Sequence, residues 1–218
     1  MSEKLKGAFV QRDKKTYAVV PRTPMGMLTP VILENIAGVA RKYEIPIIKI
    51  TSGQRIAMVG LKPEIIDDVW KELGMDTAPA VQLCVHYVQA CPGNAVCKFG
   101  VRDSLGLGGK LEELFVGMEL PAKVKIGISG CPLNCGEGYM RDLGAFGKKS
   151  GWTVMFGGNA GGRPRIGDVI AKGIDENEVI DLAKRCFEYY RNNGKKSERT
   201  ARFINRIGIE EFKKAVLL

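Results

Sequence analysis

The sequence predicts an α+β protein in two parts, on two observations. Over the first third, the apolar periodicities run strand, helix, strand, strand, helix, strand, which is the order of the split βαβ, or ferredoxin-like, unit. Beyond it, strands bounded by cysteine- and glycine-rich turns alternate with helical stretches, the pattern of an α/β domain. The first unit is assigned residues 1–78 and the second residues 79–218.

Each element has a local reason. Thr16–Pro21 (TYAVVP) is β-branched and apolar and reads as a strand. Thr29–Glu44 has helical spacing, with Thr29 as cap and Pro30 in the first turn. Pro46–Thr51 (PIIKIT) and Arg55–Leu61 (RIAMVGL) are strands joined by the turn Ser52-Gly53-Gln54. Lys62–Gly74 is a second helix, started near Pro63 and stopped by Gly74. Ala80–Val88 (AVQLCVHYV) closes the unit as a strand that leads into the next region. In the second part, Ala95–Val116 reads as a helical stretch broken by glycine, Lys123–Ser129 as a strand, and Glu137–Asp142 as a short helix. Gly151–Phe156 is a strand entering the glycine-rich loop Gly157–Arg165 (GGNAGGRPR). Glu176–Asn193 is an amphipathic helix, and Ser197–Leu218 a basic helical tail.

The 218 residues carry 45% hydrophobic and 26% charged side chains, ordinary for a globular chain. No apolar run approaches the ~18 residues of a membrane helix, so no membrane partner is expected. MSEKLKG lacks the apolar core of a secretion signal, which points to the cytoplasm. Thiols stay reduced there, so the six cysteines argue for metal or redox chemistry more than for disulfides. The net charge of +9 calls for an anionic partner. The cations are spread along the chain without a helix-turn-helix, zinc-finger or RNP pattern. A small polyanion therefore explains the charge as well as nucleic acid does, and nucleic acid is not expected. The single histidine, His86, excludes His-rich metal sites.

Four cysteines form two pairs. Cys91 and Cys97 stand in ACPGNAVC, a C-x5-C, and Cys131 and Cys135 in GCPLNC, a C-x3-C. Zinc sites use spacings of two to four, which C-x5-C fits poorly. The C-x2-C-x2-C runs of bacterial ferredoxins are absent. Four thiolates on two Gly/Pro turns can nonetheless hold a cubane, because backbone N–H groups on such turns can point at sulfur. The alternative is four buried, unliganded cysteines. Cys84, in a strand, and Cys186, on the apolar face of a helix, read as core. Gly106-Leu-Gly-Gly-Lys110 lacks the P-loop spacing.

ACPGNAVCKFG followed by GISGCPLNCGEG resembles the siroheme–[4Fe-4S] signature of the nitrite and sulfite reductases. PRTPMGMLTP, KITSGQRIAMVGL, LPAKVKIGISG, GGNAGGRPRIGD and SERTARFINRIG resemble further segments of that family, in its order and over nearly the whole chain. The length is similar to that of the small, single-repeat sulfite reductases of anaerobes.

The resemblance implies a set of roles. Cys91, Cys97, Cys131 and Cys135 would ligate the [4Fe-4S] cluster, with Cys135 also bridging to siroheme iron. Siroheme, a polycarboxylate, would meet Arg55, the loop Gly157, Gly158, Asn159, Gly161 and Gly162, and Arg163 and Arg165. Arg22, Arg55, Lys123 and Lys125 would hold the substrate oxyanion and deliver protons, Lys123 and Lys125 pointing to one side of a strand. His86 is either a plain strand histidine or an axial ligand to siroheme iron.

The function implied is six-electron reduction of sulfite to sulfide. The motifs do not separate this from reduction of nitrite to ammonia, and a non-catalytic Fe-S electron carrier is the reading from a different class. No Rossmann fingerprint is present, so electrons are expected from a separate low-potential donor such as ferredoxin. A single-repeat chain could also pair as a homodimer.

Overall fold

The computed structural model describes residue 5 and residues 7–217. Positions 1–4, 6 and 218 of the expected domain ranges lie outside the described residues. The chain divides into two compact units, Met1–Val81 and Gln82–Leu218.

The first unit contains β1 (Ala8–Val10), β2 (Tyr17–Val19), α1 (Pro30–Lys42), β3 (Ile47–Ile50), β4 (Ile56–Leu61) and α2 (Ile66–Leu73). Its sheet has the order β1-β2-β4-β3, and every pairing is antiparallel. The expected punctuation holds. Thr29 Oγ1 accepts the Ile32 N–H at 3.2 Å, Pro30 opens α1, and Gly74 ends α2 at φ 58°. Both helices cover one sheet face, burying Ile36, Val39, Met58, Leu61, Val69 and Leu73. Each such side chain contributes roughly 1.5–3 kcal/mol of transfer free energy.

The strand expected at Ala80–Val88 is corrected. It lies at Val85–Ala90 (β5) and belongs to the second unit's sheet. The hairpin strand β1 fills the vacated edge beside β2. All six residues of β5 are buried, as suits a strand paired in parallel with both faces covered, although it is the edge strand of that sheet. After α2 the chain touches the β2 end only through a bridge, Pro21 to Thr77, with Ala78 N donating to Val20 O at 3.1 Å. Pro79 O accepts from Arg55 Nη1 at 2.6 Å, so residues just past 78 still belong to the first unit.

The second unit contains β5, α3 (Ser104–Phe115), β6 (Val124–Ser129), β7 (Leu143–Lys148), β8 (Gly151–Phe156) and β9 (Asp168–Ile174), then α4 (Glu176–Asn193), α5 (Thr200–Ile207) and α6 (Ile209–Val216). The sheet order is β5-β6-β7-β8-β9, parallel across β5, β6 and β7 and antiparallel beyond. The β5–α3–β6 crossover is a βαβ unit. An Asp175/Glu178 capping box starts α4. Phe156, Tyr190, Phe203 and Phe212 form an aromatic core between sheet and helices, with Phe156 stacked on Phe212 at 4.6 Å.

Three further expectations change here. The helix expected from Ala95 starts at Ser104, capped by the Asp103 carboxylate, which accepts Gly106 N–H at 2.8 Å; the residues before it form the Cys97 loop. The helix expected at Glu137–Asp142 is a single 3-10 turn, Gly138–Met140. The tail breaks into α5 and α6 at Gly208, φ 86°. Strands β7 and β9 have no counterpart in the sequence reading. LGAFGK looks like a loop, yet its Gly144 is there for close approach. A Cβ at Gly144 would lie 2.5 Å from Gly138 Cα. Among the described residues no helix is long and apolar enough to cross a membrane.

Candidate iron–sulfur and anion site

Parallel pairing brings the two cysteine motifs to one end of the second sheet. Ala90 pairs with Ile128, so Cys91 follows β5 where Gly130 and Cys131 follow β6. Cys91 N donates to Ile128 O at 3.1 Å, and Gly130 N–H points at Cys91 Sγ at 3.2 Å. Ser104, at the start of α3, donates through Oγ to Cys91 O at 2.7 Å and lies 3.5 Å from Cys91 Sγ. The Cys97 loop is tied to the other motif, since the N–H groups of Val101 and Arg102 donate to Gly130 O at 2.9 and 3.1 Å. Only glycine fits between them, because a Cβ on Gly130 would sit 2.6 Å from Gly93 Cα.

The turn after Cys131 reverses the chain through left-handed residues. Asn134 has φ 57° and Glu137 φ 56°, a conformation that costs a non-glycine residue about 1–2 kcal/mol. Side chains hold the turn: Asn134 Oδ1 accepts Gly138 N–H at 3.1 Å, and Ser129 Oγ accepts Gly136 N–H at 2.8 Å. The reversal leaves Cys131 buried and Cys135 exposed. Cys91 is half-buried and Cys97 exposed. Two interlocked thiol-bearing loops, one with an amide already aimed at sulfur, fit a thiolate-held cluster. Among the described residues no three or more His, Cys, Asp or Glu gather round a point that would hold one metal ion.

Beside these loops lies a cationic group. Lys125, on β6, is half-buried, with Nζ 5.7 Å from the Tyr87 ring centre. Burial, then the positive charges of Arg199, Arg141 and Lys123, push its pKa below the ordinary lysine value. Lys123 stands one residue before β6 and is exposed. Asp142, fully buried, accepts Arg199 Nη2 at 2.7 Å, Arg199 Nε at 3.2 Å, Thr200 Oγ1 at 2.5 Å and the Lys125 backbone N–H at 2.9 Å. Arg141, also buried, donates through Nη2 to Gln89 Oε1 at 2.6 Å and pairs with Glu137. Its Nε has no hydrogen-bond partner among the described residues. Sequence reasoning did not single out Asp142, Arg199 or Arg141. Arg199 falls inside the SERTARFINRIG resemblance, which was the available signal.

In the first unit, the PRTPMG segment packs on the TSGQR turn. Thr23 Oγ1 donates to Gln54 O at 3.5 Å, and a Cβ on Gly26 would lie 2.8 Å from Gln54 Cβ. Arg22 and Arg55 are thus borne by adjoining segments. Arg55 is buried, whereas Arg22 is half-buried and lines a cavity of about 350 Å³ with Trp70, Met75, Asp76 and Thr77.

The loop from Gly157 to Arg165 is closed by reciprocal Asn159–Arg165 backbone bonds of 2.9 and 2.8 Å. Asn159 braces it, donating to Arg163 O at 2.8 Å and accepting Gly161 N–H at 3.3 Å. Gly157 is left-handed at φ 83°, and Gly161 and Gly162 are exposed. The two arginines differ. Arg163 is exposed, but the Arg165 guanidinium is engaged by Asn205, Gly157 O, Ile166 O and Asp168. Its place is structural, and a siroheme carboxylate would have to compete with Asp168. His86 is buried, with Nε2 2.7 Å from Gln82 O, as a strand histidine would be. Cys84 and Cys186 are buried core thiols, their pKa values raised mainly by burial.

A ferredoxin-like half followed by a sheet with two cysteine loops at its parallel strand ends defines a class of iron–sulfur oxidoreductase. The chain belongs to the nitrite and sulfite reductase family. Residues 83–218 match the nitrite and sulphite reductase 4Fe-4S domain, and residues 9–75 the nitrite/sulfite reductase ferredoxin-like half domain. The family carries siroheme and a [4Fe-4S] cluster. The chain is 57% identical over 217 residues to the assimilatory-type sulfite reductase of Nitratidesulfovibrio vulgaris, with 100% of both chains covered. It is 41% identical over 202 residues to the nitrite reductase [NAD(P)H] of Bacillus subtilis, covering 93% of this chain but 25% of that protein. Two solved structures share the fold: dissimilatory sulfite reductase I (TM-score 0.82, 14% identity, 92% of this chain and 69% of that one) and Mycobacterium tuberculosis NirA (TM-score 0.81, 18% identity, 93% and 40%).

Proposed function

We propose that the chain reduces sulfite to sulfide, consuming six electrons and eight protons and releasing three waters. The observation that carries this reading is the 57% identity over full length to an assimilatory-type sulfite reductase. When bound, siroheme would supply the iron that takes the anion, and the cluster the route for electrons. Cys91, Cys97, Cys131 and Cys135 would hold the cluster, and Cys135, which is exposed, would be the thiolate that also serves the siroheme. Arg163 and the loop Gly157, Gly158, Asn159, Gly161 and Gly162 would hold siroheme carboxylates, with Arg55 as a further cation; Arg165 shapes the loop. The amides of Gly158 and Gly162 would serve as donors, because those of Gly157, Asn159 and Gly161 bond Asp142 O, Arg165 O and Asn159 Oδ1.

Lys123 and Lys125 hold the oxyanion; Arg22 and Arg55, in the first unit, are candidates for the same role. Lys125 is the best proton donor among them, because burial and cationic neighbours loosen its proton. Reduction of nitrite to ammonia is the second reading, favoured by the 41% identity to a nitrite reductase. Electrons come from a separate carrier protein in the cytoplasm, and two copies pair as a homodimer. The test is kcat/KM for sulfite against nitrite on cofactor-replete protein with reduced methyl viologen. A higher value for sulfite is expected; a higher value for nitrite overturns the order, and turnover of neither overturns the reductase reading.

A further inference from the structure

We propose that the Cys97 loop and the β7–β8 turn together form the docking surface for a small, acidic, one-electron carrier protein. The inference rests on the reading of Cys97 as a cluster ligand.

The loop is braced by backbone hydrogen bonds and exposes apolar surface. Asn94 N–H bonds Arg102 O at 3.1 Å, Cys97 N–H bonds Gly93 O at 3.0 Å, and Gly100 N–H bonds Cys97 O at 2.9 Å. Held this way, it exposes Val96 to 81% and Phe99 to 54%, on either side of the exposed Cys97. Exposed apolar side chains that lie together beside polar or charged neighbours, rather than scattered singly, mark an interaction site. Arg102 joins the loop to the β7–β8 turn, donating through Nε to Lys148 O at 2.9 Å and through Nη2 to Lys149 O at 2.7 Å. The loop and turn therefore present one surface.

Its charge is positive. Lys98, Lys148 and Lys149 are exposed, and among the described residues no carboxylate pairs with them. Lys98 Nζ lies 4.9 Å from the Phe99 ring centre, so charge and apolar surface are adjacent. The nearby acid, Asp103, is occupied in capping α3. An apolar centre beside unpaired cations complements an acidic partner, steering fast encounters and allowing quick release, as small redox interfaces do. Each encounter moves one electron from the reduced carrier, which is oxidised, to this chain, and no bond forms or breaks. Six encounters match the six electrons that sulfite requires.

The test compares holoprotein with Lys98→Glu/Lys148→Glu/Lys149→Glu, using an acidic single-cluster [4Fe-4S] ferredoxin as the probe. Calorimetry reads its Kd. Parallel assays are driven by the reduced ferredoxin and by reduced methyl viologen. The expected result is a Kd and a ferredoxin KM raised at least tenfold, with siroheme absorbance and methyl viologen activity unchanged. Wild-type affinity should also fall steeply with added salt. Unchanged Kd in the triple variant, or no ferredoxin binding by wild type, overturns the proposal. A Phe99→Ser protein that keeps its iron–sulfur iron but loses siroheme absorbance also overturns it, placing the ring against the macrocycle. Absence of methyl viologen activity in wild type would strike the reductase reading instead, and calorimetry would still report on docking.

Discussion

Arg199 holds Asp142 through two hydrogen bonds, Nη2 at 2.7 Å and Nε at 3.2 Å, and the carboxylate they meet is wholly buried. Asp142 also takes the Lys125 backbone N–H and the Thr200 hydroxyl, so one carboxylate ties β6, the start of β7 and the start of α5 together. Removing one partner of a buried pair costs about 3–5 kcal/mol, because the other is left uncompensated. Asp142→Ala is expected to lose a comparable amount in urea unfolding. Asp142→Asn with Arg199→Gln should recover part of it, since neither charge is then buried alone.

Gly144→Ala tests the close approach of β7 to the GCPLNCGEG turn. The new methyl would lie 2.5 Å from Gly138 Cα, against backbone that cannot turn aside as a side chain can. Overpacking of this kind costs about 1–3 kcal/mol. A lowered melting temperature, together with reduced iron per chain, is the expected result; unchanged iron would show that the turn tolerates displacement.

The thiols should separate into two classes. Cys91→Ser, Cys97→Ser, Cys131→Ser and Cys135→Ser should each lower cluster iron, and Cys135→Ser should also uncouple cluster from siroheme in EPR. Cys186→Ala should keep full iron and lose only stability, by the few kcal/mol of a core truncation. Iron and sulfide analysis of the purified variants distinguishes them.

Lys125 sets a pH dependence if it delivers protons. Its pKa is lowered by burial first and then by Arg199, Arg141 and Lys123, so the donor form is lost at lower pH than for a free lysine. kcat/KM should fall as pH rises through that value. Lys125→Arg, which keeps the charge but does not release its proton, should lower kcat/KM and abolish that alkaline limb; an unmoved limb would assign it to another group.

Glu198 sets an acid limit on stability. Arg206 first, and then the Lys195 N–H, hold its pKa at about 2, below the ordinary 4.5. A depressed folded-state pKa contributes stability that is present above about 4.5 and is lost as pH falls toward 2. Arg206→Gln should remove that contribution, so its melting temperature should lie below wild type at pH 7 and converge on it near pH 2.

The cysteine pairs were legible because a C-x5-C and a C-x3-C on Gly/Pro turns are rare for packing reasons alone, and the capped helices because Thr29, Pro30 and Gly74 act locally. Strand β7 was not, because Gly144 and Gly147 mark loops in one dimension and close approach in three. Arg163 and Arg165 are two residues apart and look alike in GGRPR; Asp168 and Asn205 separate them only once the chain has folded.

By itself the sequence determined the capped start of α1, the glycine stop of α2, the span of α4, the α+β class and the four thiols, since each follows from local backbone preference or from composition. Tertiary structure decided which sheet receives β5, because burial at all six positions outweighs its place in the chain. It also decided that Cys91 meets Gly130 and that Asp142 meets Arg199. Contacts between distant segments depend on strand order and register, which no local stretch encodes.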